Sequence, residues 1–124
     1  MSHKTTVKTE FKDRQTLAEA CKALGIPCEV AAEGQEVEGR LYQGPEKGVA
    51  TFKLPGWQYP VVVKADGNAV FDNYNGSWGD TKELDKVKQA YATTVVEAKV
   101  KSGGLRIVSK TTLENGTIQI RATR

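Results

Sequence analysis

The sequence predicts an α+β fold, one mainly antiparallel sheet with two helices, in the order β-α-β-β-β-β-α-β-β. Three observations carry this. Apolar residues recur at helical spacing behind a capping aspartate in two places, after Asp13 and after Asp80. Several short runs between and after them have the alternation or β-branched content of strands. The turn signals Asp66-Gly67 and Asn115-Gly116 join neighbouring runs through links too short for anything but antiparallel pairing.

Thr5–Phe11 places Val7, Thr9 and Phe11 on one face and Thr6, Lys8 and Glu10 on the other, the period of a half-buried strand. Asp13 then caps a helix whose Leu17, Ala20, Cys21 and Leu24 form an apolar stripe, closed by Gly25 and Pro27. In the middle, Glu36–Gln43 is a strand, 44–48 a loop, and Val49–Leu54 the return. Tyr59–Ala65 and Ala69–Phe71 then pair across Asp66-Gly67, read as a type I′ turn with two left-handed central residues. Asp80 with Glu83 makes an acidic capping box for the second helix. Leu84, Val87, Tyr91, Val95 and Ala98 continue its apolar face toward Gly103-Gly104. Leu105–Lys110 and Thr117–Ala122 close the chain as a hairpin turning at Glu114-Asn115-Gly116.

The 124 residues fit a single domain, and 39% hydrophobic content with a net charge of +3 excludes a disordered chain. No run reaches the ~18 apolar residues of a membrane span, and the polar start Met1–Thr5 does not read as a signal peptide. A soluble protein of the cytoplasm is the expectation. The charge is uneven: residues 1–98 carry −2, and residues 99–124 carry +5. Lys99, Lys101, Arg106, Lys110, Arg121 and Arg124 there face only Glu114. Such a basic hairpin can attract nucleic acid or an acidic partner, or simply guard a sheet edge against aggregation.

Few residues offer chemistry. His3 is the single histidine, so a histidine triad or histidine metal site lacks its parts. Cys21 and Cys28 supply neither a disulfide framework nor a zinc site. The loop Gly76-Ser77-Trp78-Gly79 precedes a helix, but Asp80 at the cap repels phosphate. The 72–76 segment misses the spacing of a calcium loop. Asp66 and Asp80 are used by a turn and a cap, which leaves Asp72 without an evident carboxylate partner for acid–base hydrolysis. No catalytic residue, metal ligand or cofactor site is therefore assigned.

Aromatic residues are concentrated instead. Five of the nine lie between Trp57 and Trp78, interleaved with Gly, Pro, Asn and Asp, and the Asp66-Gly67 hairpin returns both segments to one end of the sheet. Trp57, Tyr59, Tyr74 and Trp78 either form a partner-contact surface or close the core beneath the second helix.

A resemblance spans nearly the whole chain. Met1-Ser2-His3, Val7-Lys8-Thr9, a helix closed by Leu24-Gly25, the run Val37-Glu38-Gly39-Arg40-Leu41-Tyr42-Gln43-Gly44, Tyr91-Ala92 and Glu114-Asn115-Gly116-Thr117-Ile118 occur in order. Together they resemble the family of hypothetical chloroplast open reading frame thirty-five, a domain of unknown function in plastids, cyanobacteria, other bacteria and phages. The chain departs from that pattern at Lys4, where members often carry Phe, and in the spacing of its Trp segment. The resemblance assigns no catalytic residue. It implies an accessory role beside an AAA-type ATPase, and the plastid stroma as location for a plastid-encoded member.

The functional expectation is a non-catalytic protein-binding module using Trp57, Tyr59, Tyr74 and Trp78. The alternatives are nucleic-acid binding through Arg106, Lys110, Arg121 and Arg124, and a small enzyme of unknown reaction.

Overall fold

The alternation that opens the chain makes a strand, but a short one. In the computed structural model, which describes residues 4–104, 106–112 and 118–123, β1 is Thr5–Val7. The predicted continuation to Phe11 is broken where Glu10 takes a left-handed φ of 57°. Thr9 Oγ1 and the Phe11 amide both donate to the Gly67 carbonyl, at 2.7 and 2.9 Å, tying this bend to the 64–68 turn. Helix α1 (Arg14–Ala23) follows, with the Asp13 carboxylate accepting from the Gln15 and Thr16 amides. Leu17, Ala20 and Cys21 are buried, whereas Leu24 sits at the C-cap and is exposed.

Next come β2 (Cys28–Val30), β3 (Val37–Leu41), β4 (Gly44–Gly48), β5 (Ala50–Phe52), β6 (Val61–Val63) and β7 (Ala69–Phe71). The antiparallel main sheet has the order β1-β7-β6-β5-β2. Two of these strands correct the sequence reading. β2 was too short to show a period. Residues 44–48, expected as a loop from their Gly-Pro-Gly composition, instead pair with β3 from Leu41↔Gly44 to Val37↔Gly48. The turn after β6 also differs from a type I′ turn. Asp66 keeps negative φ, and Gly67 alone is left-handed at 89°, the three-residue hairpin pattern.

Helix α2 (Thr81–Ser102) is capped by Asp80, whose carboxylate accepts from the Lys82 amide at 2.9 Å. Glu83 does not complete a reciprocal box; it pairs with Lys86 Nζ at 3.0 Å. The last hairpin consists of β8 (Arg106–Thr112) and β9 (Ile118–Thr123). His3, Leu105, the 114–116 turn and Arg124 lie outside the described residues.

The two helices cover one face of the main sheet. Leu17 and Cys21 of α1 and Leu84 and Val87 of α2 pack on Phe52, Val61, Val63 and Phe71. The other face is covered by the β3–β4 hairpin, through Leu41 against Val62 and Val70. This second contact is thin and close. A Cβ on Gly39 would come within 2.7 Å of Val62 Cγ2, and one on Gly48 would overlap the Val63 carbonyl. Glycine lets the hairpin lie directly on the sheet.

Candidate functional site: an aromatic shelf beside a buried carboxylate

The four aromatic residues singled out by the sequence divide into two environments. Trp57 belongs to the core. It is 3% exposed, its indole Nε1 donates to the Asp80 carbonyl at 3.0 Å, and its ring meets Phe71 edge-on at 5.3 Å. Gly79 lies flat against that ring, where any Cβ would overlap it. Trp57 therefore anchors the start of α2 to the sheet, and the expectation that it faces a partner is corrected. Its neighbours Pro55 and Gly56 had suggested a surface loop, but the turn directs the indole inward.

Trp78 does the opposite. It is half-buried at the sheet end, stacked on Tyr74 at 4.8 Å and 22° and touched by Tyr59 at 5.4 Å. The sequence missed the fourth member, Tyr42, whose ring is 5.2 Å from Trp78 and 6.3 Å from Tyr59. Tyr42 occupies the β3–β4 turn and is 59% exposed, and Tyr74 is 38% exposed. Its signal was present in part: with Leu41 inward on β3, Tyr42 must point outward. Only the hairpin's position over the sheet brings it to the other three.

The loop beneath the shelf is tightly bonded. Trp78 donates its amide to the Asn73 carbonyl at 2.9 Å, and its own carbonyl accepts from Gln58 at 2.9 Å. Asn73 Nδ2 donates to the Gly79 carbonyl at 3.2 Å. Tyr74 holds a left-handed φ of 48°, a conformation side chains rarely adopt, while its amide donates to Asp72 Oδ1 at 3.1 Å. Tyr74 and Trp78 thus stand on a hydrogen-bonded loop.

Asp72 is 1% exposed, and its Oδ2 has no hydrogen-bond partner. It borders a cavity of about 170 Å³ that also meets Lys4, Gln43 and Glu46. Glu46 is engaged on both oxygens, by Lys4 at 2.8 Å and Lys64 at 3.4 Å. The Lys4 hydrogen bond first, and the nearby Lys64 charge, hold its carboxyl below the ordinary 4.5 despite partial burial. Glu46 is thus held as an anion, while Asp72 Oδ2 is shielded from solvent without a hydrogen-bond partner.

Other candidates are less organised. Cys21 and Cys28 are free thiols. A hydrogen bond to Cys28, together with burial, pushes the Cys21 thiol up, and the same bond lowers that of Cys28. Arg106 and Arg121 are exposed on the final hairpin, and Lys110 lies in β8. A wide groove of about 1050 Å³ runs between α1 and α2, past Tyr91 and Val95, where the apolar face of α2 outruns the core. Among the described residues, no three His, Cys, Asp or Glu side chains stand close enough to hold a metal ion. No helix among them is long and apolar enough to cross a membrane.

No family model, curated protein or solved structure matches this chain.

Proposed function

We propose that the chain is a non-catalytic protein-binding module whose contact surface is the shelf of Tyr42, Tyr59, Tyr74 and Trp78. The observation that carries this reading is the four-ring cluster, partly exposed, with Tyr74 and Trp78 on a hydrogen-bonded loop. Trp and Tyr dominate binding hot spots because they offer large, stiff area with a polar handle. A ring already held by its neighbours loses little freedom when a partner covers it. Capture with the native protein should recover a defined partner, and the Tyr42→Ala/Trp78→Ala double variant should lose it while retaining its far-ultraviolet dichroism. Retention of the partner by the folded double variant would refute the assignment. An accessory role beside an AAA-type ATPase, suggested by the family resemblance, is the partner class to try first.

A second reading uses the final hairpin. Exposed Arg106 and Arg121, together with exposed Lys99 and Lys101 on the last turn of α2, favour nucleic acid. That reading requires affinity for DNA or RNA that falls steeply with salt. Absence of binding at low salt would exclude it.

A further inference from the structure

We infer that Cys21 and Cys28 are a redox pair, which a small-molecule disulfide oxidises to one intramolecular disulfide joining the end of α1 to the start of β2. The inference is independent of the aromatic shelf.

The two thiols meet because the chain reverses between them. The Ile26 amide donates to the Cys21 carbonyl at 2.9 Å and the Gly25 amide to the Lys22 carbonyl at 3.1 Å, the paired bonds of a Schellman ending, with Gly25 left-handed at 70°. The Pro27 carbonyl then accepts from the Lys53 amide at 3.1 Å, and Cys28 pairs with Phe52, which sets the start of β2 on the sheet. Cys21 is fully buried and Cys28 half-buried. Both face the same apolar cluster, and their thiols share a hydrogen bond.

A lone buried cysteine behaves as a small apolar side chain. Two in contact need only close the gap to an S–S bond of about 2.05 Å. β2 is placed to give that movement, since it is a three-residue strand at the sheet edge with β5 as its one neighbour there.

The asymmetry of the pair sets the order of events. Disulfide exchange begins when a thiolate attacks a disulfide sulfur. Cys28 has solvent contact and Cys21 has none. Their hydrogen bond also lowers the pKa of the Cys28 thiol and raises that of Cys21, so Cys28 ionises first. Cys28 Sγ therefore attacks the oxidant, whose S–S bond breaks to release one thiolate with its electron pair. Cys21 then loses its proton as its Sγ attacks Cys28 Sγ, and the second thiolate leaves. The two protons given up by the cysteines end on the two released thiols. Two protein thiols are oxidised to one disulfide, and one small disulfide is reduced to two thiols.

The test incubates the native full-length protein, without denaturant, with glutathione disulfide. Intact mass is read before and after alkylation in urea. The chain should lose the mass of two hydrogens, take up no alkylating agent and remain monomeric. Its urea midpoint should rise above that of the reduced chain, because the closed loop restricts the unfolded state. Cys21→Ala should stop at one glutathione on Cys28, and Cys28→Ala should gain none. Retention of both thiols, a stable glutathione adduct on the native chain, a disulfide formed only between two chains, or a midpoint that does not rise would overturn the inference. The result on the native chain stands even where Cys21→Ala does not fold.

Discussion

The two faces of the main sheet are built from the same valine-rich strands and do different work. Val61 and Val63 point into a deep apolar core beneath two helices, closed by Trp57. Val62, between them, points into a thin layer under the β3–β4 hairpin, whose turn brings Tyr42 against Trp78. The lesson lies in the pair of tryptophans. Trp57 contributes its whole surface and its N–H to folding, whereas Trp78 is held half-open by three other rings and a bonded loop. Residue type did not separate them; the direction in which each loop enters the sheet did.

The largest effect should fall on the helix face. Trp57→Ala should cost about 3–5 kcal/mol in a urea unfolding experiment, the range for truncating a buried large aromatic. Trp78→Ala should cost roughly 1–2 kcal/mol, the scale of its ring contacts. Equal losses would erase the distinction between the two faces. The hairpin face comes next: Gly48→Ala should destabilise by about 1–3 kcal/mol, because the added methyl meets the Val63 carbonyl, a backbone atom with little room to shift.

The smallest effect concerns pH. Glu46 has a folded-state pKa depressed below 4.5, so its contribution is present above that value and is lost as pH falls through the folded pKa. Glu46→Gln should therefore be less stable than the native chain at neutral pH, with the difference fading below pH 4.5. A difference that persisted in acid would mean that the Lys4 and Lys64 contacts add nothing through charge.

Much of this fold was legible in the sequence, and the exceptions share a cause. Both helices, their aspartate caps and the antiparallel order follow from local pattern, because capping and periodicity act within a few residues. β4 was hidden because Gly44-Pro45 and Gly48 are loop residues by composition. Their pairing with β3 is imposed by the sheet beneath, where glycine is needed for close approach. The apolar face of α2 was read through Ala98, but burial is complete only at Leu84 and Val87, since the core ends before the helix does. At the site, Tyr59, Tyr74 and Trp78 were found through their clustering. Tyr42 stands apart in sequence, and only tertiary placement of the hairpin joins it to them. Asp72 was noticed as a carboxylate without a partner, but its burial beside a cavity depends on how the 72–79 loop folds back.

The central claim is that the shelf, and not Trp57 or the final hairpin, meets the partner. Oxidative footprinting of the protein alone and bound to its captured partner tests this most directly. Tyr42, Tyr74 and Trp78 should be modified in the free protein and protected in the complex, while Trp57 stays unmodified in both. Undiminished modification of Tyr42 and Trp78 in the complex, with protection appearing along β8 and β9 instead, would contradict the account.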